Sequence, residues 1–211
     1  MDCCVIGIGT FGYCVAKSLM DSGNKVLAID SDIAAIRSIK DVVTHSLCLK
    51  VFDEDSLTEA GLKEIEVVVI AIGDNFEDSI MLTALLKKKL KTQTVICRAI
   101  NNQHKEILYL IGADHVVIPE EEAGKKLADK ISIKYRNFNR LSPNYSLVNL
   151  KTNKKWVGKK ISEIEELNDE KIIVLGIKIN SEIKNINKNY ILKQEDILLI
   201  SGENENLEKL I

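Results

Sequence analysis

Along the first two-thirds of the chain, short apolar runs alternate with stretches whose apolar residues recur every three or four positions. That alternation predicts parallel strands covered by helices on both faces of one sheet. Strands are expected over Met1–Ile8, Lys25–Asp30, Val42–Cys48, Glu66–Ile72, Thr94–Ala99 and His115–Ile118. Helices are expected over Thr10–Asp21, Asp32–Lys40, Asp53–Ala60, Phe76–Lys89 and Asn102–Ile111. The run EVVVIAI at Glu66–Ile72 is apolar after its first residue, as a central strand buried on both faces must be. After Pro119 the stretch EEEAGKKLADKISIKYRNF reads as a long helix, acidic in its first turn and basic later, in the sense the helix dipole prefers.

The texture changes after Phe138. NRLSPNY carries one of the chain's 2 prolines and reads as a hinge or linker. Beyond it, SLVNLK, KIIVLGIKI and EDILLIS are β-rich, with short helical patterns at KKISEIEEL and ENENLEKLI. The expected organisation is a Rossmann-like, doubly wound α/β domain over 1–138 and a small α+β lobe over 139–211. A lobe that small buries little surface alone and gains from pairing with a copy of itself.

Composition narrows the function. The 211 residues are 45% hydrophobic and 28% charged, with a net charge of −2, which provides no basic face for nucleic acid. The 5 cysteines, at 3, 4, 14, 48 and 97, form no CxxC pair and read as reduced, mostly buried thiols of a cytosolic protein. No stretch approaches the roughly 18 consecutive apolar residues of a membrane span. The apolar N-terminus lacks a basic leader and is cut by glycines, so it does not read as a signal peptide, and any membrane association must come through a partner.

The candidate chemistry begins at VIGIGTFG. Gly7, Gly9 and Gly12 form GxGxxG between a strand and a helix, the context in which that motif cradles a nucleotide pyrophosphate. Gly7 permits the tight turn, Gly9 lets backbone approach a phosphate, and Gly12 lets the helix pack closely. The helix N-terminus then receives the anion. Asp30 ends the second strand 18 residues beyond Gly12, near the roughly 20 expected of a carboxylate that accepts a ribose hydroxyl. It would repel a 2′-phosphate, which disfavours NADP and leaves NAD(H), ATP, ADP and AMP open.

Nothing comparable marks a reaction. His45, His104 and His115 fall on a strand, a helix start and a strand entry, and read as surface or edge residues with no metal-ligand spacing. The small second lobe clusters no catalytic residue types, so the chain is expected to bind a nucleotide without consuming it. A small NAD-dependent oxidoreductase is the alternative. An NAD-sensing transcription regulator is disfavoured by the lack of a basic reading helix.

VIGIGTFG, IDSD with Arg37 downstream, AIGDN, CRAIN and IGADHVVIPEEEAG together resemble the cytosolic regulatory (RCK, or KTN) subunits of bacterial potassium-uptake systems. With one TrkA-N and one TrkA-C lobe, the chain is similar to the Ktr type. The resemblance implies Rossmann lobes that dimerise and a homo-oligomeric ring, usually an octamer. The ring would sit in the cytoplasm beneath a membrane-embedded potassium channel or transporter subunit. ATP against ADP, or NADH against NAD in relatives, would change the ring's shape and gate the pore.

Carried over by position, the backbone at Gly7, Gly9, Thr10, Phe11 and Gly12 would face the phosphates. Asp30 would hold the adenosine ribose, with Ser31 and Asp32 beside it. Ile72, Gly73 and Asn75 would flank the nucleotide, Arg98 would meet terminal phosphates, and Glu120 would help hold a divalent cation between two nucleotide sites. The helices over 76–90 and 120–138 would carry protomer contacts, with Met81, Leu82, Leu85 and Leu86 as core plus interface. Relatives that sense ATP often carry arginine where this chain has Thr10, and LCLKVFDED replaces the usual small residues near adenine, so contacts at Lys50, Val51 and Phe52 do not transfer. Several Gram-positive relatives bind cyclic di-AMP in the C-terminal lobe; NSEIKNINKNYILKQ lacks the proline associated with that site.

Overall fold

The computed structural model describes residues 2–49, 53–73, 75–132, 138–169, 171–179 and 182–210. They fall into two compact units, Met1–Glu122 and Ala123–Ile211.

In the first unit, β1 (Asp2–Ile6), β2 (Lys25–Asp30), β3 (His45–Cys48), β4 (Val67–Ile70), β5 (Thr94–Arg98) and β6 (His115–Val117) alternate with helices. The helices are α1 (Thr10–Asp21), α2 (Ile33–Ile39), α3 (Glu54–Glu59), α4 (Phe76–Ala84) and α5 (Asn102–Ile111); α6 (Pro119–Ser132) begins in this unit and runs on into the second. The strands form one parallel six-stranded sheet in the order β3-β2-β1-β4-β5-β6. The order reverses beside β1, and in open α/β sheets ligands bind at that switch point, outside the strands' C-terminal ends.

Apolar side chains on the central strands supply a core to each face. Cys4 and Ile6 of β1 with Val68 and Ile70 of β4 join Leu82, Leu86 and Leu108 on one side. Val5 and Val69 join Ala16, Ile36 and Ile39 on the other. A strand inserted between two such layers has no polar face to show, which is why residues 67–72 carry no polar side chain. Each fully buried isoleucine or leucine contributes on the order of 1.5–3 kcal/mol.

Helix α4 departs from its expected form: after Ala84 it widens into a π-helical turn over Leu85–Leu90, closed by Lys91 at φ +58°. Lys87 satisfies the carbonyls of Thr92 and Gln93 beyond that turn and pairs with Asp114 at 2.9 Å.

The second unit holds an antiparallel five-stranded sheet in the order β10-β9-β11-β8-β7. Its strands are β7 (Phe138–Ser142), β8 (Tyr145–Lys151), β9 (Ile172–Ile179), β10 (Glu182–Lys184) and β11 (Ile197–Glu203), followed by α7 (Asn204–Glu208). Its core gathers Val148, Trp156, Ile161, Ile164, Ile177, Leu198 and Leu207. Two expectations are corrected here. NRLSPNY is no linker: Pro143 and Asn144 make the turn of the β7–β8 hairpin. KKISEIEEL forms two 3₁₀ turns, Ile161–Glu163 and Glu165–Leu167, because the buried Ile161, Ile164 and Leu167 recur every three residues, the period of that tighter helix.

Candidate functional site

The glycine turn is built as its spacing requires. Gly7 leaves β1 at φ +93°, and its N–H donates to the Ile29 carbonyl at 2.8 Å. A Cβ on Gly12 would lie 1.8 Å from the Gly7 carbonyl oxygen, so only glycine lets α1 seat this close to the strand. Gly9 has nothing within 4 Å of a Cβ position and caps α1 with no side-chain hydrogen bond. The N–H groups of the first helical turn are thereby left for a ligand or solvent, at the positive end of the helix dipole.

Beside this turn lies a cavity of about 480 Å³. Its lining brings together Gly7, Gly9, Asp30, Ser31, Asp32, Ile72, Gly73, Asn75 and Arg98 from the sequence-derived set, and adds Ile8, Ala35, Ala71 and Asp78. Thr10, Phe11 and Gly12 stand outside the lining. Thr10 is exposed at the first position of α1, Phe11 is half-buried, and Gly12 is buried against Gly7. Lys50, Val51 and Phe52 lie outside the described residues.

Asp30 ends β2 and holds two loops. Its Oδ2 accepts the Ile8 N–H and its Oδ1 the Asp32 N–H at 2.8 Å. The carboxylate has lone pairs left for ribose hydroxyls. Asp32 caps α2 by accepting the Ala34 N–H at 2.8 Å, and Asn75 caps α4 by accepting from Glu77 and Asp78. The Asn75 amide also donates to the Asp78 carboxylate at 2.7 Å. Both cap residues line the cavity wall, at loop ends that sequence reasoning assigned to ligand contact alone.

Arg98, at the end of β5, is the one cation among the described lining residues. Its Nη2 donates to Glu120 in the first turn of α6, and its guanidinium carbon lies 6.0 Å from the centre of the Phe11 ring. Nη1 rests over Gly73, where a Cβ would come within 2.1 Å of it. Its Nε is buried with no partner, an arrangement that leaves a strong donor unused. Glu120 is mostly exposed; its own backbone N–H, and then Arg98, hold its carboxyl below the ordinary carboxylate range. Among the described residues no group of three or more His, Cys, Asp or Glu side chains comes together to hold a metal ion, and Glu120 is committed to Arg98.

The histidines divide. His45 and His115 are exposed, whereas His104 is 1% exposed, correcting the surface reading. Its ring packs on Phe76 with centroids 4.4 Å apart, Nδ1 accepts the Ile100 N–H, and Nε2 is buried unpaired. Burial pushes its pKa down. Cys3, Cys4 and Cys97 are buried thiols, and Cys14 is exposed. Burial pushes the Cys97 thiol up to about 11, against the opposing Thr83 hydroxyl. No cysteine lines the cavity.

A parallel sheet with its glycine turn, the acid that ends β2 and a helix N-terminus at the switch point defines a Rossmann-type lobe. The chain belongs to the TrkA family: residues 3–119 match the TrkA-N domain and residues 145–211 the TrkA-C domain. It is 33% identical over 200 residues to Ktr system potassium uptake protein C of Bacillus subtilis (strain 168), covering 94% of this chain and 90% of that protein. To Ktr system potassium uptake protein A of Vibrio alginolyticus it is 30% identical over 205 residues, 96% and 93% of the two chains. In fold it is similar to the GsuK RCK domain, with TM-score 0.63 at 15% identity, over 99% of this chain and 46% of that one. It is also similar to the GsuK channel bound to NAD, with TM-score 0.56 at 18% identity, over 99% of this chain and 37% of that one. No helix among the described residues is long and apolar enough to cross a membrane.

Proposed function

We propose that this chain is a cytoplasmic regulatory subunit of a potassium-uptake system that binds ATP or ADP as a signal. In this reading the functional lobes are 1–138, with α6 assigned to the nucleotide lobe, and 139–211. Copies pair through their nucleotide lobes and close into an octameric ring beneath a membrane-embedded potassium channel or transporter subunit. The names of the relatives that align along nearly its whole length support the potassium role.

The observation that carries the nucleotide reading is one cavity with a ribose-type acid at one end and an arginine at the other. Asp30 and Arg98 end β2 and β5, three strand spacings or about 14 Å apart, with the glycine turn between them. An adenosine at Asp30 directs its phosphates past the turn toward Arg98. A cation there suits terminal phosphates better than the nicotinamide end of NAD, which makes NAD(H) the second choice. The described lining holds no histidine, lysine, tyrosine or cysteine, so hydride chemistry would lack the usual proton carriers. A divalent cation would need ligands beyond Glu120, such as the phosphates themselves and a second protomer.

Gating requires that the nucleotide bind two ring shapes with different affinity, since equal affinity shifts nothing however tight the binding. A thermal-shift series with ATP, ADP, AMP, NAD, NADH and cyclic di-AMP tests the assignment. ATP and ADP at about a hundredfold over Kd should raise the Tm by roughly 5–10 °C. If NADH alone stabilised the protein and a hydroxy acid reduced NAD, the oxidoreductase reading would replace this one.

A further inference from the structure

Arg98 has a single charged partner in the described structure, and that partner is not a ligand. Glu120 takes Nη2 from the solvent side, with 64% of its own side chain exposed, while Nε stays buried and unpaired. The other contacts fix the plane of the guanidinium without neutralising it: the Phe11 ring faces one side, and Gly73 has no side chain to obstruct Nη1. We propose that Glu120 competes for Arg98 with the distal phosphates of the bound nucleotide, so that the Arg98–Glu120 pair sets how strongly the site prefers di- and triphosphates over a monophosphate.

This inference rests on the nucleotide reading above. A monophosphate seated on the glycine turn lies over β1, whereas Arg98 ends β5, two strand spacings or about 10 Å away. Only a second or third phosphate extends toward the guanidinium. When one does, its oxygens can take both Nη2 and the orphaned Nε in the bidentate geometry that arginine favours. Glu120 loses little on release, because it is open to water and sits in the first turn of α6, where the helix dipole stabilises a carboxylate. The pair therefore lowers affinity for every ligand that must break it and leaves shorter ligands unaffected.

Calorimetric titration of the full chain with AMP, ADP and ATP in EDTA, for the wild type, Glu120→Gln, Glu120→Ala and Arg98→Gln, tests this directly. Both Glu120 variants should bind ADP and ATP about fivefold tighter than wild type, the strength of one exposed ion pair, with AMP unchanged. Arg98→Gln should bind ADP and ATP at least about tenfold more weakly, again with AMP unchanged. Unchanged ADP affinity in the Glu120 variants, or an equal gain for AMP, overturns the competition while leaving the nucleotide site intact. If Glu120 instead serves a cation, its variants will lose ATP affinity in magnesium and match wild type in EDTA, which also overturns it. A wild type that binds none of the three nucleotides removes both readings.

Discussion

Two glycines of one motif should respond in opposite ways to the same methyl group. A Gly12→Ala Cβ would meet the Gly7 carbonyl oxygen at 1.8 Å, and neither backbone can yield without lifting α1 from β1. The expected loss is about 2–4 kcal/mol of stability, read as a lowered urea midpoint. The Gly9→Ala methyl meets nothing within 4 Å, so stability should stay within about 0.5 kcal/mol of wild type while nucleotide affinity falls. Equal unfolding of both variants would remove the argument that Gly9 is glycine for a ligand's sake. These two roles were legible in the sequence because spacing alone dictates backbone geometry at a strand–turn–helix junction. The two N–H groups that Asp30 clasps were not, since they depend on how the loops after β1 and β2 fold back. Arg98 and Glu120 were each singled out but never as a pair. Their meeting follows from topology: β6 pairs with β5 at Arg98↔Val117, and Glu120 lies three residues further on.

At the scale of elements, the bounds of α1, β2 and α5 are those read from the sequence, because each is framed by clear start and stop signals. Asn101 caps α5 by accepting the His104 N–H, and Gly112 ends it in the left-handed region. The β7–β8 hairpin was missed because proline and asparagine mark turns and linkers alike, and only pairing partners distinguish the two. The burial of His104 was missed for a related reason. It lies in the first turn of α5, and only the approach of α4 covers it with Phe76. That contact makes α4–α5 packing sensitive to pH. Burial lowers the folded-state pKa of His104 below its ordinary value near 6.5, so the unfolded chain binds the proton more readily. The packing contribution is therefore complete above about pH 6.5 and is lost as pH falls below it. His104→Gln keeps an acceptor for the Ile100 N–H and cannot protonate in this range. The drop in Tm between about pH 7.5 and about pH 5.5 should be smaller in this variant than in wild type. Parallel pH profiles for the two proteins would show that the buried imidazole is not the titrating group.

On the scale of the whole molecule, what remains unexplained within one chain is its exposed apolar surface. The second unit leaves Ile173 at 50%, Leu175 at 45% and Ile183 at 59% exposure. Strand β9 carries an extra residue at Leu175, since Leu199 faces Gly176 while Ile200 faces Val174. Such a bulge re-aims side chains and bends the strand. Ile173 and Leu175, two residues apart, thereby form an apolar strip on the part of β9 that β10, paired to residues 177–179, does not reach. Scattered exposed leucines need no explanation, but neighbouring apolar residues on a stretch of strand that the edge strand does not pair form a surface suited to contact with another chain. Assembly of copies is part of the function proposed above, and this strip gives it a place to be tested without disturbing the nucleotide cavity. Ile173→Lys adds a charge to the strip at a position already half open to water, so the protomer should keep its Tm in dilute solution to within about 2 °C. Its mass by light scattering at micromolar concentration should fall below that of wild type. Because a buried lysine without a partner is strongly disfavoured, an interface that includes this strip should not tolerate it. A variant that retains the wild-type mass would place the contacts between copies elsewhere, and the exposed Leu110 on α5 and Leu127 on α6 would become the next positions to charge.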